Sequence, residues 1–503
     1  MTSSGVSPRS SLRVAAIVVC ALALLVTAAA WLCFKNGWIL YYGDAESHLN
    51  ISRGLIDSRT PGYVQLGTVW LPVLHLICLP FVSSDELWWN GLAGTLPVAV
   101  CFIITGTCFY LAARETYQSV AAGLVVVACF ALNPNVLYLA AIPMTELVFL
   151  AGVAVVLLAV LRYRSAQRTR WMAVAIVASW ILSLTRYDGW FLIPFIGVWL
   201  AASARRAKWL VLIAFGIAAS LAPAWWIAHN WLETGNALDF YNGPYSPRAI
   251  QGGKPYPGYR DWLQAAHYYF TACKLCTGPA LIALGILGVF LAWRRALWQP
   301  LLFLLLTPLF YVWSIHSSGG TPIFVPSLWP FSYYNTRYGI AALPLCAFAA
   351  GAIGARARRF ALAVPVIAIL PWIIHPAKEN WICWKESQVN SVDRRAWTQD
   401  AAQFMHTIYV PRQAILASAG DVTGVFRKAH IPLRETINIG NGPLWFAATR
   451  RPDLYHPGTW LVRQRGDLLD RLLARAQAPY RPVLSISTRK YSPDLLIDKR
   501  SLR

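Results

Sequence analysis

The chain has 503 residues, of which 57% are hydrophobic and only 13% charged, more apolar surface than one soluble core of that length can bury. The surplus must face lipid. A formal net charge of +22 invites a nucleic-acid reading, but the basic residues are segregated into short clusters between apolar runs, and the inner membrane leaflet is a sufficient partner for them.

Apolar runs able to cross a bilayer, about 17–25 residues each, are predicted near 13–34, 88–112, 117–134, 145–161, 171–187, 190–204, 209–229, 279–293, 298–314, 339–354 and 360–375, about eleven in all. The first follows basic residues, as a signal peptide would, but its length and its bulky end, Trp31 to Phe34, favour a retained anchor. Between alternate runs stand Arg9 and Arg13, Arg114, the cluster Arg162 to Arg170, Arg205 with Arg206 and Lys208, Arg294 with Arg295, and Arg356 with Arg358 and Arg359. The positive-inside rule puts these in the cytoplasm, with the N-terminus inside and the C-terminus outside. Of the 22 acidic residues only Glu115 then falls inside. Acidic groups gathered on one face suggest a site there.

Three outer segments are long enough to carry function. The first, 35–88, holds a polar stretch from Tyr42 to Arg59 and an apolar one, Thr68 to Val82, which Pro72 and Pro80 interrupt; it reads as a helix lying in or re-entering the interface. The second, 229–278, is dense in Gly, Pro and Tyr and carries the one CxxC, Cys273 and Cys276, where a structural disulfide is possible and a metal site would need two further ligands. The third, 314–338, closes on Asn335-Thr336-Arg337-Tyr338. From Pro376 the composition becomes that of a soluble domain: strand-like runs at Ala414–Ala417, Thr436–Ile439, Thr459–Val462, Pro482–Ile486 and Leu495–Ile497 alternate with helical stretches such as Asp467–Gln477. The expected fold is a polytopic α-helical membrane domain over 1–375 and a small extracytoplasmic α/β domain over 376–503.

Asp44, Glu46 and His48, just beyond the first span, set two carboxylates and an imidazole beside lipid, which costs free energy unless they are solvated, paired or metal-bound. Asp44 suits a general base taking a proton from an attacking hydroxyl, and Glu46 and His48 would orient it, pair with a cation or bind a metal; a merely acidic solvated loop is the plain alternative. Arg186 and Asp188 sit at the mouth joining the fifth and sixth runs, where they would also neutralise each other. Glu146, after Thr145, opens the fourth run and fits an N-terminal cap. Arg337 with Tyr338 opens the tenth run, as an interfacial anchor or as a bidentate phosphate clamp.

Together, Gly43-Asp44-Ala45 running on to Leu49-Asn50-Ile51-Ser52-Arg53, Met144-Thr145-Glu146, Thr185-Arg186-Tyr187-Asp188-Gly189-Trp190 and the late Arg337-Tyr338 resemble the GT-C superfamily of membrane glycosyltransferases, nearest the bacterial branch similar to protein O-mannosyltransferases and aminoarabinose transferases. The resemblance implies a bacterial inner (plasma) membrane enzyme with a polyprenyl-phosphate-sugar donor and a glycan, lipid or protein acceptor. It also implies Asp44 as the catalytic aspartate and Arg337, with Arg186 or a metal, supporting the phosphate. Relatives of the mannosyltransferase type carry Asp and Glu adjacent in the first loop, whereas Ala45 separates them here. Some members use a divalent cation such as Mg or Mn and others do not, which leaves Asp44, Glu46 and His48 as candidate ligands. Chemistry agrees with the resemblance: a phosphate leaving group needs a fixed cation, and a hydroxyl nucleophile needs a base, so inverting transfer requires one of each. Tyr241, Tyr245, Tyr256 and Tyr259 would stack on sugar rings or anchor the interface. The rival readings are a transporter or lipid flippase, which expects midplane charges, broken helices and paired halves, and a scaffold whose C-terminal domain does the work.

Overall fold

The computed structural model describes residues 8–374, 380–452, 458–476, 480–487 and 494–501. Among them six helices are long and apolar enough to cross a membrane: Leu12–Lys35, Leu92–Tyr117, Thr145–Ala166, Lys208–Thr234, Gln299–Ser317 and Thr336–Arg356. Two helix pairs, Val120–Ala131 with Pro134–Ala140 and Trp262–Thr277 with Pro279–Trp293, bend by 70° and 105° and bring the number to eight if each pair is one span. The chain is a polytopic α-helical membrane protein. Every predicted apolar run coincides with a helix, but length alone supports fewer crossings than the eleven runs, because Thr169–Ser183, Asp188–Ser203 and Ala363–Ile374 are short.

By contact the chain forms two compact units, the first comprising residues 1–33, 68–73 and 98–386, the second 34–67, 74–97 and 387–503. The expected domain boundary, between 375 and 376, lies outside the described residues. Of the segment 35–88, assigned from sequence to the membrane domain, residues 35–67 and 74–88 group with the C-terminal region and 68–73 with the first unit.

In the first unit the helix Leu343–Arg356 packs between Val120–Ala131 and Pro279–Trp293. Small residues allow it, as is usual where lipid supplies no hydrophobic drive between helices. A Cβ on Gly288 would collide with the Ala349 carbonyl, and one on Gly351 would stand 2.7 Å from Val126. Gly288→Ala is therefore expected to lower stability by about 1–3 kcal/mol, read as a lower thermal midpoint of the detergent-solubilised protein, whereas Gly216→Ala, with nothing within 4 Å of its Cβ, leaves it unchanged.

The second outer segment is more helical than its Gly, Pro and Tyr content predicts. Asp261 accepts a hydrogen bond from the Gln264 amide and caps the helix Trp262–Thr277. Cys273 and Cys276 lie on that helix as buried free thiols, and the Cys276 thiol donates to the Thr336 carbonyl at 3.2 Å. The apolar stretch of the first segment is helical only over Val73–Val82, after Pro72 and with Pro80 inside.

The second unit is built on a mixed five-stranded sheet in the order β2-β1-β3-β5-β4, with β1 Ile415–Ala417, β2 Thr436–Ile437, β3 Trp460–Gln464, β4 Tyr480–Ile486 and β5 Leu495–Arg500. β1 runs parallel to β2 and β3, and β5 antiparallel to β3 and β4. Each of the five strand-like runs contributes a strand, and Asp467 caps the helix Leu468–Arg475; Gln477, the expected end of that helix, lies outside the described residues. β1 and the first three residues of β3, Trp460 to Val462, are apolar without alternation because both faces are covered there. Ile415, Ala417, Trp460 and Val462 face a core with Trp397 and Phe426, while Leu416 and Leu461 face another with Trp445 and Leu469.

Candidate active site

In the first unit four elements bring charged side chains together. Glu146 lies in the first turn of Thr145–Ala166, Arg186 and Asp188 lie where Thr169–Ser183 gives way to Asp188–Ser203, Arg337 and Tyr338 lie in the 3-10 turn Thr336–Ala342, and Glu386 lies on the helix Ile382–Asn390. Glu146 Oε1 accepts from Arg337 Nε at 3.1 Å and from Arg186 Nη1 at 3.4 Å. Glu386 takes Arg337 twice, Oε1 from Nη1 at 3.2 Å and Oε2 from the backbone amide at 3.0 Å. Arg186 also reaches Asp188 Oδ1 at 3.4 Å and donates to the Tyr311 hydroxyl at 2.8 Å, and that hydroxyl donates to Asp188 Oδ2 at 3.0 Å. The Tyr338 ring lies 4.6 Å from the Arg186 guanidinium carbon and 5.1 Å from that of Arg337. Thr145 does not cap its helix: Met144 occupies the N-cap without a side-chain bond, and the Thr145 hydroxyl accepts from Arg186 at 2.9 Å.

Five of the residues singled out from sequence, Glu146, Arg186, Asp188, Arg337 and Tyr338, thus meet in one buried network. Three carboxylates against two guanidiniums give it a formal charge of −1. Glu146 Oε2 is buried without a hydrogen-bond partner among the described residues. Burying so many charges costs free energy even when they are paired, and intramembrane ionisable groups are by default candidates for function. An anionic group entering here competes with the carboxylates for the two guanidiniums. Sequence reasoning missed Glu386 and Tyr311. Glu386 follows Trp384-Lys385 in a stretch that reads as soluble, and Tyr311 sits in the middle of an apolar run.

The second unit carries Asp44, Glu46 and His48 on the helix Gly43–Gly54. Asp44, half-buried, is in the first turn, where the helix dipole favours a carboxylate. Glu46 is buried and fully engaged: Arg427 Nε donates to Oε1 at 2.7 Å and Nη2 to Oε2 at 3.1 Å. The Asn50 amide donates to Glu46 and to Thr423. His48 Nδ1 lies 2.9 Å from His75 Nε2, so one ring donates to the other. Asp421, which sequence reasoning also missed, approaches the start of this helix closely enough that a Cβ on Gly43 would meet its Oδ1 at 3.1 Å. Burial raises the Asp421 pKa; Arg394 opposes the rise, and Asp44 and Glu46 add to it.

These residues do not fit a metal site. Both Glu46 oxygens face a guanidinium and His48 Nδ1 faces another imidazole, and among the described residues no group of three or more His, Cys, Asp or Glu is placed to hold an ion. Asp44, Glu46 and His48 are thus not gathered around one ion position, and Glu46 joins the helix to the C-terminal fold.

Burial alone would raise the Glu46 pKa, but Arg427, by charge and by hydrogen bond, together with Arg394 and Asn50, outweighs it and holds the carboxyl below its ordinary range. A carboxylate depressed in the folded state stabilises above its unfolded pKa, about 4.3, and loses that contribution as pH falls through the folded value. Glu46→Gln is expected to cost about 3 kcal/mol at neutral pH. The gap in thermal midpoint between wild type and variant should then close only in acid below the unfolded pKa; a gap that ignores pH would deny the ion pair its role.

Likeness to solved structures shows the class of this architecture: the chain has the fold of the GT-C membrane glycosyltransferases. It is similar over nearly its whole length to ArnT from Cupriavidus metallidurans bound to undecaprenyl phosphate, with a TM-score of 0.56 and 15% identity over 96% of this chain and 97% of that one. The apo state of the same ArnT gives 0.55, 16%, 97% and 98%. No family model and no curated protein matches the sequence.

Proposed function

We propose that the chain is an inverting glycosyltransferase that moves a sugar from a polyprenyl-phosphate-linked donor to an acceptor hydroxyl outside the cytoplasm. The observation that supports this most strongly is the end-to-end likeness to ArnT, a protein seen bound to undecaprenyl phosphate. In the proposed reaction the acceptor oxygen attacks the anomeric carbon from the face opposite the leaving group. The bond to the phosphate oxygen breaks, polyprenyl phosphate departs with its electron pair, and the acceptor's proton passes to a carboxylate. Asp44 is the proposed base. Arg337 and Arg186 are the proposed cations, the phosphate replacing part of their carboxylate neighbourhood. Glu146 and Asp188 then hold the guanidiniums in orientation, and Tyr338 gives both a ring to lie on.

The orientation proposed for the chain puts its N-terminus in the cytoplasm and residues 387–503 outside, in a bacterial inner membrane. The two bent helix pairs favour a transporter as the second reading, since broken helices are a transporter feature. Purified protein in proteoliposomes, given a polyprenyl-phosphate-sugar extract labelled in the sugar and an unlabelled cell-envelope extract as the source of acceptor, separates the two. Transfer yields free polyprenyl phosphate and a labelled acceptor; transport leaves the donor's glycosidic bond intact. Mass spectrometry of cell-envelope glycans with and without the protein then identifies the acceptor. An unchanged glycan profile together with an intact donor would sink the proposal.

A further inference from the structure

The second unit holds a cleft of about 430 Å³, within the size range of small-molecule sites. Four cationic side chains line it, Arg394, Arg395, Arg427 and Lys428, with Tyr41, Trp89 and His430 among them. Two of the cations are already answered. Arg427 is clamped on Glu46, and Arg394 lies 3.5 Å from Asp421 while donating to the Leu40 and Tyr41 carbonyls at 3.1 and 2.7 Å.

The other two are not. Arg395 lies 4.0 Å over the Tyr41 ring and donates to the Ser391 hydroxyl at 3.0 Å, with no carboxylate partner among the described residues. The ring contact and that bond hold its planar fork in one place. Lys428 has no ion pair among the described residues. Burial and then Arg427 push its pKa down, and Arg395 does the same, against Glu46. An ammonium crowded by guanidiniums is relieved by an anion. Beside these groups the Trp89 and His430 rings are stacked at 4.1 Å and 6°, and the Trp89 indole N–H is buried with no hydrogen-bond partner among the described residues.

We infer that this cleft binds an anionic sugar, a pyranose carrying a phosphate or a carboxylate, with the anion on Arg395 and Lys428 and the ring against the Trp89 and His430 pair. Aromatic rings beside a cation fork are the ordinary means of holding a flat sugar face and a bidentate anion together. The inference stands on the cleft alone and does not depend on glycosyl transfer.

Full-length protein in phosphatidylcholine nanodiscs is titrated with glucose 1-phosphate, glucuronate, glucose and inorganic phosphate, read by tryptophan fluorescence and calorimetry. One of the two sugar anions is expected to bind saturably, more tightly than inorganic phosphate, with glucose silent. Arg395→Gln and Lys428→Gln each weaken binding by about tenfold or more, Lys428→Arg restores it, and an unchanged thermal midpoint shows that each variant folds. If phosphatidic acid added to the nanodiscs abolishes the binding, the natural anion is lipid-borne; if it does not, the anion belongs to a soluble glycan, and either result supports the site. The inference is overturned if neither sugar anion saturates, if glucose binds equally, if inorganic phosphate binds as tightly, or if both charge-removing variants bind like wild type.

Discussion

If Asp44 is the base proposed above, Asp44→Asn is expected to lower sugar transfer by about 10²–10⁴-fold, the usual contribution of a positioned general base, in a protein that still folds. The amide has nearly the carboxylate's shape but cannot take the acceptor's proton. The lost charge weakens the match with the helix N-terminus by about 0.3–1 kcal/mol, since Asp44 lies in the first turn of Gly43–Gly54 and is only half-buried. Activity should therefore collapse while the thermal midpoint moves little. Donor binding, measured separately, should survive, since the phosphate end is held by other groups. Wild-type transfer by Asp44→Asn would remove Asp44 from the mechanism.

Arg337→Met gives the other large effect, and its interpretation needs a second substitution. Arg337 is paired with Glu146 and Glu386, so its loss leaves two buried carboxylates without their main counter-charge, at about 3–5 kcal/mol. Expression and thermal midpoint fall, and activity falls with them for that reason alone. Adding Glu386→Gln removes one orphaned charge and should return most of the stability. If Arg337 supports the departing phosphate, the double variant is folded and still inactive; if the residue only holds the bundle together, activity returns with stability. Transfer restored in the double variant would assign the phosphate to another cation.

The sequence exposed much of this because its strongest signals are local. Apolar runs, the sign of the charge between them and the strand-like runs after residue 410 each depend on a handful of neighbours, and the helices and the five strands lie where those signals put them. The grouping of Glu146, Arg186, Asp188, Arg337 and Tyr338 could be anticipated because all of them flank apolar runs on one expected face. Their partners could not. Glu386 is 49 residues from Arg337 with no periodicity to connect them, and Arg427 reaches Glu46 across 381 residues. Nothing in the order Asp44, Glu46, His48 distinguishes a carboxylate meant for chemistry from one meant for an ion pair. The helix Trp262–Thr277 was hidden by the Gly and Pro residues before it, which read as loop until Asp261 is recognised as its cap.

The long separation between Glu46 and Arg427 bears on how the protein is made. Translation at about 5–20 residues per second puts roughly 20–75 s between synthesis of the first outer loop and arrival of the arginine that neutralises it. Asn50 waits a similar interval for Thr423, and Asp57 for Arg434. The acidic segment is thus among the first parts of the chain to be made and among the last to acquire its native neighbours. In that window it is open to proteases and to mispairing, and a chain cut short before residue 427 would never close it.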